Sequence, residues 1–205
     1  MRRWLLASIV ALPAAAAAAP PRRLLVVGDS LSAEYGLPRG SGWVALLEQR
    51  AAREKLALEV TNASVSGDTT AGGRSRLSAL LARHRPDVLI IELGGNDALR
   101  GLPLGMTRGN LGAMVREAKA AGTKVVLAGM QMPPNYGRKY ADDFAALFAE
   151  VARAESVVLV PFLLKNVADG ADADDMFQAD RIHPAAAAHP RILDNVWPVL
   201  KPLLR

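Results

Sequence analysis

Leu24-Leu25-Val26-Val27-Gly28-Asp29-Ser30-Leu31-Ser32 decides how the rest of the chain reads. Four apolar residues stop at a glycine, and a hydroxyl follows two positions later. A short run that is apolar on both faces suits a parallel strand covered by helices on either side. The pattern recurs along the chain. Val88-Leu89-Ile90-Ile91 leads to Gly94-Gly95, and Val125-Val126-Leu127 leads to Gly129. Leu58-Glu59-Val60 and Val157-Val158-Leu159-Val160 are weaker versions. Between these runs lie amphipathic stretches at Trp43 to Lys55, Gly72 to Arg83, Thr107 to Ala121 and Tyr140 to Ala154. A last stretch, Ala185 to Leu204, holds Pro190 and Pro198 and is expected to be broken or kinked. This alternation predicts an α/β fold: three α/β/α layers around a flavodoxin-like, doubly wound sheet of about five parallel strands. There is no internal repeat and no linker.

Composition narrows the function. The chain opens Met1-Arg2-Arg3-Trp4-Leu5-Leu6, continues apolar to Leu12 and reaches the alanine tract Ala14 to Ala19. A basic start, a short apolar run and small residues read as a secretory signal peptide over 1–19, leaving one domain over 20–205. The run is short for a membrane span. Without cysteine, no disulfide or lipid-modified cysteine can form. Loss of Arg2 and Arg3 takes 25 basic residues to 23 against 20 acidic ones, a net +3. That is too weak a charge to imply a nucleic-acid partner, and no run of Lys and Arg is interleaved with aromatics. Arg100, Arg108, Arg138 and Lys139 read as a solvated rim.

In an open parallel sheet, ligands bind beyond the carboxyl ends of the strands. Every chemically interesting segment falls there. Ser30 follows the first strand, Asn62 to Gly67 the second, Gly94 to Asp97 the third, and Asp180-Arg181-Ile182-His183-Pro184 lies in a loop after the fifth. Serine needs a base to take its proton, and an imidazole works best when a carboxylate fixes its tautomer. A three-residue offset in a tight turn can set the Asp180 carboxylate beside the His183 ring. A glycine such as Gly67 can offer its N–H without a side chain in the way, and an amide such as Asn96 can donate to a developing oxyanion. Taken singly, each segment also fits ordinary turn and capping chemistry, Asp29 and Asp68 above all. His84, at a helix end, reads as structural or solvated, and His189, in the last helical stretch, reads as a surface residue. No second His or Cys stands at ligand spacing from His183, so no metal is expected.

Together the segments resemble the SGNH hydrolase superfamily, also called GDSL esterases. Gly28-Asp29-Ser30-Leu31-Ser32 resembles its first block, Asn62 to Gly67 its second, Gly94-Gly95-Asn96-Asp97 its third and Asp180 to Pro184 its fifth. Glu92 to Gly101 and Met132 to Tyr140 resemble the thioesterase I, lysophospholipase L1 and arylesterase branch. The resemblance implies a catalytic triad of Ser30, Asp180 and His183. It implies an oxyanion hole from the Ser30 and Gly67 N–H groups and the Asn96 side chain. Met132, Pro133 and Tyr136 would line the acyl site. It further implies ester and thioester cleavage through an acyl-enzyme, with small acyl substrates, lysophospholipids among them, no cofactor and no obligate protein partner, in the periplasm or outside the cell. The rival readings are a carbohydrate O-acetyl esterase or acyltransferase, and a binding module without catalysis.

Overall fold

The computed structural model describes residues 20–132 and 134–205. The signal peptide expected over 1–19 and the acyl-site residue Pro133 lie outside the described residues. Five strands form the expected sheet: β1 (Arg22–Gly28), β2 (Leu58–Asn62), β3 (Val88–Glu92), β4 (Lys124–Ala128) and β5 (Val158–Val160). All pairs are parallel, and the order is β2-β1-β3-β4-β5. β1 and β3 are the centre of the sheet, and their side chains are buried on both faces from Leu24 to Val27 and from Val88 to Ile91. The order of connection reverses at this point: the chain leaves β1 outward to β2, then returns across β1 to β3. Such a reversal opens the crevice in which doubly wound sheets bind ligands.

Helices cover both faces. α1 (Trp43–Arg53) packs against α6 (His189–Leu200), while α2 (Thr70–His84) and α5 (Arg138–Ala154) both pack against α4 (Leu104–Ala120). Each turns a buried apolar stripe to the sheet, such as Phe144, Leu147, Phe148 and Val151 in α5. The two phenylalanines meet edge to face at 5.2 Å between centroids.

Three local expectations need correction. The segment after β3 is more than a turn, because Gly95–Leu99 winds into a short helix, α3. Neither proline in the last stretch breaks the helix where it stands. Pro190 sits in the first turn of α6, where its missing N–H has no intrahelical acceptor to lose. Pro198 lies inside α6, held by the buried face of Ile192, Leu193, Val196, Trp197 and Leu200, and the change to 3-10 geometry comes after it, at Lys201–Leu204. His189 is no surface residue: it is 2% exposed, and its Nδ1 accepts the Trp43 N–H at 3.0 Å. Gly42 offers α1 no capping side chain, so His189 supplies the missing acceptor from the far end of the chain.

Candidate active site

Ser30 stands at the carboxyl end of β1, in a turn closed by Ser32 N–H and Ala33 N–H onto the Asp29 carbonyl at 3.2 and 3.0 Å. The turn can hug the sheet because residue 28 is glycine. A Cβ there would come within 2.6 Å of Glu92 Oε2 on the paired strand. His183 reaches the serine from the other end of the chain, with Nε2 2.9 Å from Ser30 Oγ. Its Nδ1 lies 2.6 Å from Asp180 Oδ2. Asp180 Oδ1 accepts the N–H groups of Ile182 and His183, each at 3.0 Å, so the acid builds the loop that carries the base. The His183 and Ile182 N–H groups and the His183 ring hold the Asp180 carboxyl down at about 2, so it is a carboxylate throughout the working pH range.

The same loop is tied to the rest of the molecule. Gln178 N–H donates to the His183 carbonyl at 2.7 Å, and Gln178 Nε2 donates to the carbonyls of Tyr35 and Pro184. The Tyr35 ring lies against the imidazole with centroids 4.3 Å apart. One wall of the site is therefore an exposed aromatic ring on the histidine that contacts the serine. Its position on the turn after Ser30 gave no sequence signal.

The three donors expected at the oxyanion hole stand at the same edge of the sheet as Ser30 Oγ, after β1, β2 and β3. The N–H groups of Ser30 and Gly67 have no protein acceptor among the described residues. Gly67 holds φ at 78°, a conformation in which a side chain would be strained, and Arg100 donates to its carbonyl at 2.8 Å. Asn96, in the first turn of α3, points one Nδ2 hydrogen at Asp29 Oδ2 at 2.9 Å and keeps the other free. Asp97, 1% exposed, anchors that turn: Oδ2 accepts Thr70 N–H at 2.8 Å, and Oδ1 accepts the hydroxyls of Thr70 and Thr107. Asn62 Nδ2 donates to the Ser32 carbonyl at 2.7 Å and locks the second loop to the first.

Below these donors lies a buried acid pair that the sequence reading passed over. Asp29 caps its own turn, as its position predicts: Oδ1 accepts Leu31 N–H at 3.0 Å. Glu92 was not singled out, though an acid closing an all-apolar central strand has to be buried. Glu92 Oε2 accepts Ser32 Oγ–H at 2.7 Å and Asp29 N–H at 3.2 Å. Burial pushes Asp29 up to about 6 and, with the Asp29 charge beside it, raises Glu92 well above the usual carboxylate range.

Of the residues expected at the acyl site, Tyr136 is 40% exposed, whereas Met132 is 9% exposed and packs into the core. Among the described residues, Tyr35, Val65, Leu99, Met106 and Ile182 are the other exposed large apolar residues. All six stand in or next to segments that follow the carboxyl ends of the strands, the edge of the sheet that carries Ser30. A separate cavity of about 550 Å³ opens at the amino edge among Arg23, Arg85, Asp87, Glu117 and Thr123, far from the serine and without a histidine. Among the described residues, no group of three or more His, Asp and Glu side chains could hold a metal ion.

Comparison with known proteins decides the family. The model of the GDSL-like lipase/acylhydrolase family matches residues 26–191. The chain belongs to that family. Esterase TesA of Pseudomonas aeruginosa is 51% identical to it over 204 residues, covering all of both chains. Thioesterase 1/protease 1/lysophospholipase L1 of Escherichia coli is 39% identical over 181 residues, covering 88% of this chain and 84% of the relative. A crystal structure of the psychrotrophic esterase EstA from Pseudoalteromonas, inhibited by monoethylphosphonate, superposes with a TM-score of 0.83 at 37% identity. It covers 89% of this chain and 98% of that one. The GDSL-family chain is thus an enzyme of the ester-hydrolase class, on the five-stranded α/β sheet of its relatives.

Proposed function

We propose that the chain hydrolyses carboxylic ester and acyl thioester bonds through an acyl-enzyme on Ser30. The observation that carries this reading is the unbroken relay Asp180 Oδ2, His183 Nδ1, His183 Nε2, Ser30 Oγ, with spacings of 2.6 and 2.9 Å. His183 Nε2 takes the Ser30 proton as Oγ attacks the acyl carbonyl. The carboxylate of Asp180 fixes Nδ1–H and stabilises the imidazolium that forms. The carbonyl oxygen becomes an oxyanion among Ser30 N–H, Gly67 N–H and the free Asn96 Nδ2–H, a set of donors in place before the charge develops. The imidazolium then protonates the leaving alcohol or thiol. Water, deprotonated by the same histidine, releases the acid and restores Ser30.

The exposed apolar residues around the serine favour an acyl chain over a sugar, because they offer no polar donors in the number a carbohydrate requires. Long-chain acyl esters, lysophospholipids among them, fit that rim, and Tyr136 and Tyr35 flank it. The basic and apolar start of the sequence supports export to the periplasm. The test is a chain-length series of esters and thioesters on the mature protein, with phosphonate labelling. Stoichiometric labelling that Ser30→Ala abolishes is the expected result. Labelling that survives in Ser30→Ala would place the nucleophile elsewhere. Faster turnover of acetyl sugars than of octanoyl esters would overturn the substrate class.

A further inference from the structure

We propose that Asp29 and Glu92 form a positioning unit for the oxyanion hole, acting through the side chain of Asn96. The inference rests on the esterase reading above and adds residues to it that touch neither substrate nor the reacting atoms.

The geometry is specific. An asparagine amide has two Nδ2 hydrogens, and a donor to an oxyanion must have one of them aimed and held. Asp29 Oδ2, 2.9 Å from Asn96 Nδ2, takes the other hydrogen and so fixes the amide plane. Asp29 is itself over-determined. Its Oδ1 is held by Leu31 N–H at 3.0 Å, its own N–H is taken by Glu92 Oε2 at 3.2 Å, and its side chain is 3% exposed. Glu92 reaches the same spot from the paired strand, since Gly28 and Glu92 are in register. The end of β1, which carries the nucleophile, is thereby coupled to the end of β3, which carries the oxyanion donor.

A second carboxylate in a site 1% exposed would be too costly to ionise beside the first. Glu92 Oε1 is buried and receives no hydrogen bond, which leaves it free to carry a proton. The pair then holds one negative charge, located on Asp29 behind the Asn96 amide. That charge opposes the oxyanion but favours the His183 imidazolium formed in the same step. Orientation of the amide is the net gain.

A double-mutant cycle on kcat and KM with a short-chain aryl ester tests this, because residues that act as one unit are non-additive. Asp29→Ala should lower kcat about 100-fold with KM within about twofold, as loss of one oxyanion donor does. Asn96→Ala should cost a similar factor, and Asp29→Ala/Asn96→Ala should be no more than about threefold worse than Asn96→Ala alone. Asp29→Asn keeps the volume but has one acceptor oxygen for two donors, so it runs the same cycle should the alanine variant not fold. For Glu92, the Met variant should lose about tenfold in kcat and the Gln variant should restore it, since glutamine reproduces the acid form's donor and acceptor. Losses at Asp29 and Asn96 that multiply would overturn the coupling. Equal rates for Glu92→Met and Glu92→Gln would remove Glu92 from the unit. If Ser30→Ala retained activity on the same ester, the failure would lie with the esterase reading and not with the positioning unit.

Discussion

Asp180 uses its two oxygens for different purposes. Oδ1 accepts two backbone N–H groups and shapes the loop, while Oδ2 faces the His183 ring. Replacement by asparagine separates these purposes. The amide oxygen can still hold the loop, but Nδ2 would then face Nδ1 and favour the tautomer with its proton on Nε2, the wrong nitrogen for a base. Asp180→Asn should lower kcat by about 10³ to 10⁴-fold with KM nearly unchanged, and a thermal melt close to the parent's would show that the loop survives. Tyr35 makes a different kind of prediction. It packs against the ring that protonates the leaving group, so Tyr35→Ala should alter discrimination among leaving groups more than among acyl chains. Comparing kcat/KM for aryl and alkyl esters of one acid reads this directly. A uniform change across both series would make Tyr35 a brace and not a selector. The pairing of Ser30, His183 and Asp180 was legible in the sequence because the residue types are chemically few: three histidines, and one with a carboxylate three positions back. Asp29 and Glu92 were not, because an acid next to a turn or at a strand end looks the same whether it faces solvent or a buried amide.

The secondary-structure elements were legible for reasons of burial. A parallel strand covered on both faces must be apolar throughout, so β1, β3 and β4 stand out as unbroken runs, while β2 and β5, at the sheet edges, alternate or shorten. Helix α3 escaped because five residues beginning with glycine carry no period. It exists through tertiary bonds, chiefly those of Asp97 to Thr70 and Thr107. The start of α1 depends likewise on a residue 146 positions away, His189, whose acceptor no local pattern could announce. Burial pushes that imidazole towards its neutral form, the form that can accept from Trp43 N–H. His189→Ala should therefore destabilise the fold by about 1–3 kcal/mol through the orphaned N–H, read by urea denaturation. Activity of the folded fraction should be retained, since neither His189 nor Trp43 is hydrogen-bonded to Ser30, Asp180 or His183. A stability equal to the parent's would mean that water satisfies the N–H.

At the scale of the whole molecule, the site joins the two halves of a doubly wound sheet, and the buried acid pair at that junction leaves a signature in stability. A carboxyl whose value is raised on folding binds its proton more tightly in the native state than in the unfolded one. Between the two values the native state holds more protons, so stability falls as pH rises. Asp29, raised from 3.8 to about 6, and Glu92, raised by burial and by Asp29, both act in this direction. The groups facing them are Ser32, Asn96, His183 and Asp68, and of these the Asp68 charge adds to the rise on Asp29. For Asp29 alone the difference between neutral pH and pH 4 is about 2 kcal/mol. Asp180 has the opposite sign, since its depressed value stabilises the fold above its unfolded value near 4 and is lost as pH falls towards 2. Its side chain is 39% exposed, so water screens much of that contribution. The two effects occupy different windows. From pH 8 down to pH 5 two raised carboxyls act against one lowered imidazole, His189, and the midpoint of thermal unfolding should rise. Glu92→Gln, which fixes the neutral form, should melt higher than the parent at pH 8 and show a shallower rise on acidification. A parent whose melting temperature is flat or falls from pH 8 to 5, with Glu92→Gln no more stable at pH 8, would mean that the pair is not held in a single-charge state.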